Sequence, residues 1–250
     1  MNIRVPNVVH TERDQSLLHY LFLNKVATFQ QIHRDLFKAV RSSVPSRHIA
    51  KLLRRELITK VLVKINGRYR IVYGLDDEAK EFISYFDSEL LAVNQLKSGT
   101  IGHDVQLVDV RERLQRFPMV RSIYPENALQ CLPDLRQDPI FIPFVKLRSD
   151  SVLELSTGGN PVFVALELEL SKKTPKRYEQ KISDYYKWKA ISGVLFVSGN
   201  REIQRSVQQI EQSENSNEKL KIFYALLEDV LKDGNEITFS NSLDGQFVLG

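Results

Sequence analysis

Three acids and a run of cations in the middle of the chain are of the types that handle phosphodiesters. Asp150 precedes an alternating stretch, SVLEL, and Glu167 and Glu169 lie in a second one, VFVALELE. Carboxylates of this kind can hold Mg2+ or Mn2+, which polarises a phosphodiester and lowers the pKa of a bound water. Lys172, Lys173, Lys176, Arg177 and Lys181 follow at once, and such cations can stabilise charge developing on a phosphate. Residues two apart on a strand share a face, so Glu167 and Glu169 point the same way. Gly158-Gly159-Asn160-Pro161 reads as the turn of a β-hairpin across which Asp150 can join them. The expected metal ligands are Asp150, Glu167 and Glu169, with Lys181 or Lys173 as the lysine that stabilises the transition state. The plainer explanation is a sheet with one wet face, which also alternates apolar and acidic residues.

Other chemistry-bearing residues rank lower. Asp134 follows Pro133 but lies far upstream of Glu167, and it stands behind Asp150 as the hairpin's partner acid. Asp104 and Glu112, on a preceding helix, can add a further acid. The lone Cys131 cannot form an internal disulfide and is read as inert. The histidines His10, His19, His33, His48 and His103 show no zinc-ligand spacing. His103 is assigned to no cluster, and no glycine-rich phosphate loop is present.

The elements that must position these residues follow from pattern. Residues 103–116 read as a helix, 119–124 as a short strand, and 140–147 as irregular or a strand because of Pro139 and Pro143. After the hairpin over 150–170, Thr174-Pro175 opens a helix carrying Tyr178, Ile182 and Tyr185. Gly193 to Ser198 reads as a buried strand, 201–213 as a polar helix, and KLKIFYALLEDV as a strand or strand-helix.

Upstream, Thr11 and Thr28 each begin a capping-box pattern, and a third helix starts near Ser43 to Ser46. Two alternating runs then flank Asn66-Gly67, which suits a type I′ turn. Three helices followed by a hairpin is the order of a winged helix-turn-helix, in which the third helix enters the major groove and the hairpin touches the backbone. The candidate DNA contacts are Arg47, His48, Lys51, Arg54 and Arg55 on the helix, and Lys64, Arg68 and Arg70 on the hairpin. Charge agrees. Residues 1–75 hold 14 Lys+Arg against 4 Asp+Glu, whereas the whole chain nets only +4. A basic first third suits a polyanion such as double-stranded DNA.

The expected organisation is therefore mixed α/β. It has a winged-helix DNA-binding domain over 1–75, a connector over 76–100 and a nuclease-like α/β domain over 101–250. The connector reads as a strongly apolar helix to about Leu96, able to pack on both modules or to form a dimer contact. It ends in a break at Lys97 to Gly102. No apolar run is near the roughly 20 residues that span a bilayer. The opening MNIRVPNVVH lacks a signal peptide's apolar core. Both points, with the single cysteine, indicate the cytoplasm.

The helix, strand, hairpin, helix, strand order of the second module matches restriction-endonuclease-like folds, whose sites follow a PD-(D/E)xK pattern. The run ValAlaLeuGluLeuGluLeuSerLysLysThr, with Arg177-Tyr178 and Lys181 to Tyr185 behind it, resembles the bacterial replication-relaxation family. Those plasmid- and element-borne proteins join an N-terminal winged helix to a nuclease-like domain. The resemblance spans roughly residues 10–230. It implies a role in replication, mobilisation or regulation of a mobile element, with replication or mobilisation proteins as partners. The chain departs from the nuclease pattern at two places. Ser149 replaces the proline before the first acid, and Glu169 occupies the lysine position; if Glu169 is instead the main acid, Ser171 fills it. Two readings stay open: a Mg2+-dependent DNA endonuclease, or a non-catalytic regulator or accessory subunit that uses its C-terminal domain for dimerisation or docking.

Overall fold

A computed structural model of the chain describes residues 11–79, 82–83, 98–214 and 221–250. The chain is mixed α/β and divides into two compact units, Met1–Gly102 and His103–Gly250. Residues 84–97 of the expected connector helix lie outside the described residues.

In the first unit both expected capping boxes form. Thr11 caps α1 (Glu12–Asn24) and Thr28 caps α2 (Phe29–Leu36), with Asp14 and Gln31 answering from the third helical position. Each box satisfies two backbone N–H groups that a helix start leaves without a partner. Leu17, Leu18, Leu21 and Phe22 of α1 are buried, as are Ile49 and Leu52 of α3 (Ser43–Arg54). The hairpin strands β2 (Ile58–Ile65) and β3 (Arg68–Leu75) turn through Asn66 and Gly67 at φ 50° and 78°. Positive φ at both positions is what a type I′ turn requires. A strand that the sequence reading did not anticipate, β1 (Val26–Thr28), pairs antiparallel with β3 and gives the sheet order β1-β3-β2. Three residues are too few to show alternation.

Asp14 does more than cap. Its side chain is fully buried and bonds His48 Nδ1 at 2.8 Å and Lys51 Nζ, tying α1 to α3. Burial pushes this carboxyl up, but the hydrogen bonds from Lys51, His48 and Thr11 outweigh it and hold the group below the usual carboxylate range. Stability from this anchor is therefore present above the ordinary Asp value and lost as pH falls through the lower folded one.

In the second unit, α4 (Ile101–Gln115) leads into β4 (Val120–Pro125). Three short helices follow: α5 (Glu126–Cys131), α6 (Pro133–Gln137) and α7 (Ile142–Leu147). Next come β5 (Ser151–Leu155), β6 (Val162–Glu169), α8 (Pro175–Lys187), β7 (Val194–Ser198) and α9 (Arg201–Glu214). The rest is β8 (Ile222–Leu226), α10 (Leu227–Leu231), β9 (Ile237–Ser240) and β10 (Gln246–Leu249). The segment 140–147 is thus mainly helix. Pro143 sits in the first turn of α7, where its missing N–H costs nothing.

The seven strands form one sheet in the order β10-β9-β8-β7-β6-β5-β4. The β6-β7-β8 pairs are parallel and the remaining pairs antiparallel. One face carries Leu153, Leu155, Leu166, Leu168, Leu195 and Val197 against α4 and α10. The other carries Val152, Ala165, Val194, Phe196 and Tyr224 against α5 and α7 to α9. Both faces of the central strands are therefore covered, which explains the unbroken apolar run of β7. Among the described residues no helix is long and apolar enough to cross a membrane.

Asp14→Ala is expected to destabilise the protein by about 2 kcal/mol, through loss of a cap and two charge-assisted hydrogen bonds. Urea denaturation measures it; a change within about 0.5 kcal/mol would show the anchor to be inconsequential.

Candidate functional site

The hairpin register decides whether the acids meet. Ser151 pairs with Leu166 and Val152 with Ala165. One step further along the same register, Asp150 stands across from Glu167. Arg148, at φ 52°, ends α7 in the left-handed region and turns the chain into Ser149 and Asp150. Glu167 and Glu169 close β6 at the carboxyl ends of the parallel strands.

Glu167 is buried, at 3% exposure. A wet sheet face does not account for it, because α8 covers that face. Tyr178, Ile182 and Tyr185 pack inward from α8. Lys181 and Tyr185, one turn apart, therefore reach the same acid: Lys181 Nζ bonds Glu167 Oε2 and the Tyr185 hydroxyl donates to Oε1. Tyr185 is steadied in turn by Ser149 Oγ at 2.8 Å. Burial pushes the Glu167 carboxyl up to about 7, against the pull of Lys181. Burial alone would lower the Lys181 ammonium, but the attraction of Glu167, then Asp150 and Glu169, leaves it raised.

Asp150 keeps its charge. Its Oδ2 accepts the Leu168 N–H at 2.8 Å and lies 3.3 Å from His103 Nε2. Burial would raise this carboxyl, but the hydrogen bond and charge of His103, then the charge of Lys181, bring it below the ordinary value. His103 itself was assigned to no cluster from sequence. Its Nε2 also reaches the Leu168 carbonyl at 3.0 Å, and its Nδ1 sits 3.0 Å from Asp104 Oδ1. Burial opposes its charge, but Asp104 and Asp150 hold the imidazole's pKa up at about 10. At neutral pH it is an imidazolium between two carboxylates, with both ring nitrogens donating. No local spacing signals this; the contact joins the start of α4 to Asp150, 47 residues away.

The other expected members are placed as follows. Glu169 accepts from the Ser171 N–H at 3.1 Å and pairs with Lys173 at 3.3 Å, so these two form their own group. Asp134 is exposed on α6, and among the described residues no hydrogen bond or ion pair joins it to Asp150 or Glu167. Glu112 pairs with Arg116 on the same helix. Cys131 is buried. Among the described residues no group of three or more His, Cys, Asp or Glu side chains is arranged to hold a metal ion. The expected trio of Asp150, Glu167 and Glu169 is thus a facing pair plus a separately bonded neighbour.

The DNA-contact candidates of the first unit also divide. Arg47 and Arg54 are exposed and bond the Ser43 and Ala50 carbonyls of their own helix. Lys64, Arg68 and Arg70 are exposed on the hairpin. His48 and Lys51 are engaged by Asp14, which gives them a role in holding the unit together. Arg55 is half-buried, and its Nη1 makes no hydrogen bond among the described residues.

No family model matches this chain, and no curated protein or solved structure matches it at a significant level.

The chemistry on offer is an ionised Asp150, a Glu167 able to change charge near neutrality, and the cations Lys181 and His103. The raised His103 pKa means that its contribution to stability is full below about 6.5, the ordinary value, and is lost as pH rises toward about 10. In chelator-treated protein, His103→Ala is expected to cost about 2 kcal/mol at pH 6. The gap to the parent should narrow steadily above the ordinary value, as followed by thermal melts. A gap independent of pH across that range would show that the imidazolium is not what stabilises the site.

Proposed function

We propose that the chain is a DNA-binding protein of a bacterial mobile element, serving its replication, mobilisation or control in the cytoplasm. In this reading the first unit is a winged helix-turn-helix that holds duplex DNA. The second is a restriction-endonuclease-like domain that acts on phosphodiesters. The resemblance to the replication-relaxation family supplies the biological setting. The observation that carries the chemical reading is the buried Glu167, bonded by Lys181 and set across from Asp150 at the carboxyl ends of the parallel strands. A buried acid with a specific charge partner and a strongly shifted pKa is a site signature.

Asp150 and Glu167 offer the hard oxygen donors that Mg2+ or Mn2+ takes, and such ions commonly keep waters and substrate phosphate oxygens in the rest of their shell. These two side chains would hold the ion. When bound, it polarises the phosphoryl group and activates a water. Lys181 then stands in the role of the lysine that Glu169 displaces from the strand, stabilising negative charge on the phosphate. Tyr185 and Ser149 orient Glu167, and His103 and the Leu168 N–H orient Asp150.

A second reading has its own support. Both oxygens of Glu167 are already engaged, and the hairpin of the first unit exposes Leu62, Tyr69 and Ile71 on one face. Such a stripe suits a protein interface, as expected of a non-catalytic regulator or accessory subunit that dimerises or docks on a partner.

Metal-dependent cleavage of plasmid DNA separates the readings. Glu167→Ala should abolish it with DNA affinity nearly unchanged, and Lys181→Ala should reduce it about 100-fold. Equal cleavage by parent and variants would refute the site. Arg68→Ala plus Arg70→Ala should weaken duplex binding and lower the slope of log K against log[salt] by about two; an unaltered slope would move the DNA surface elsewhere.

A further inference from the structure

Beside the acid pair, α7 and α8 line an open cleft of about 490 Å3, of whose side chains only Lys181 has a role above. Four cations line it: Lys146 from α7, and Lys176, Arg177 and Lys181 from α8. Its one acid, Asp184, is already paired with Lys187 at 2.8 Å and bonded by Gln180 at 2.8 Å. Among the described residues neither Lys176 nor Arg177 has an ion-pair partner, whereas Lys172 is taken by Glu202 and Lys173 by Glu169. Lys146 rests 5.2 Å from the centre of the Trp188 ring.

We infer that this cleft holds the phosphodiester backbone of a nucleic-acid strand and leads it to Lys181. The inference rests on the reading of Glu167 and Lys181 as a phosphodiester site, and adds where the strand lies. Lys181 belongs to both places. It lines the cleft and its ammonium reaches Glu167, so a strand seated among Lys146, Lys176 and Arg177 passes next to the acids. The first turn of α8 carries Lys176 and Arg177 and no acid, so the positive end of the helix dipole adds to the side-chain charge there. A groove lined by cations suits a nucleic-acid strand, because the charges can follow the backbone. An acidic protein segment would gain from the charge, but it offers no phosphodiester for the neighbouring acid pair to act on.

Cross-linking from inside the cleft tests this on the full chain. Cys131 is fully buried, so a cysteine introduced at an exposed position takes a thiol-directed photo-cross-linker selectively. Gln180→Cys places it in the cleft without removing a cation. Asp233→Cys, at a side chain 99% exposed, is the control. Labelled single-stranded DNA, duplex DNA and RNA are offered separately, without metal. The expected result is cross-linking to at least one of them from position 180 well above position 233, with most of it lost on adding Lys146→Ala and Lys176→Ala. Those two substitutions should also lower the salt slope of binding by about two. Equal yields from the two positions, or a yield indifferent to the lysines, overturns the cleft assignment. Metal-dependent cleavage is scored independently. Cleavage without cross-linking at 180 refutes the cleft and leaves the acid site standing; cross-linking without cleavage does the reverse.

Discussion

The second unit is organised around one awkward group, the Glu167 carboxylate, buried in a sheet covered on both faces. A charge in that position is costly unless it is neutralised or bonded. Three features of the fold meet the demand. α8 supplies Lys181 and Tyr185 one turn apart. The hairpin register brings Asp150 to the opposite strand, where His103 and the Leu168 N–H balance it. Ser149 fixes the Tyr185 hydroxyl. The result is a compact array of two carboxylates, an ammonium and an imidazolium whose charges depend on one another. An ordinary core position would hold an apolar residue at lower cost, and the proposed chemistry at the site supplies a reason for the charge.

The first unit solves a related problem differently. Asp14 is as buried as any core leucine, yet it joins the cap of α1 to His48 and Lys51 of α3. Two side chains that look like DNA contacts from their charge alone are thereby enlisted for internal structure. The surface left for a polyanion is narrower than the count of basic residues suggests, and centres on Arg47, Arg54 and the hairpin cations. In the proposed DNA-binding role, position within the fold decides which cations are free to meet the polyanion.

Much of the local structure was legible because its determinants are short-range. The capping boxes at Thr11 and Thr28, the Asn66-Gly67 turn and the Pro175 helix start each need only a few adjacent residues. The facing of Asp150 and Glu167 followed from alternation across a hairpin, and Lys181 was chosen because nucleases of the resembling fold can take their lysine from the next helix. What escaped depends on distant partners or weak patterns. His103 gains its meaning only when α4 crosses the end of the hairpin. Glu167 and Glu169 share a strand face, yet different neighbours claim them. The segment around Pro143 has β-favouring residues but uses its proline to start a helix. The closing strands β9 and β10 are four residues each, too short to announce themselves.

The account turns on Glu167 being a buried acid whose charge is open to exchange. The direct measurement is a pH titration of its side-chain carboxyl by 13C NMR, in chelator-treated protein and again with Mg2+. The account predicts a midpoint near 7 rather than the ordinary 4.5, moving lower when the metal competes with the proton. A midpoint at the ordinary value would contradict the burial argument, and a midpoint indifferent to Mg2+ would contradict the metal-holding role.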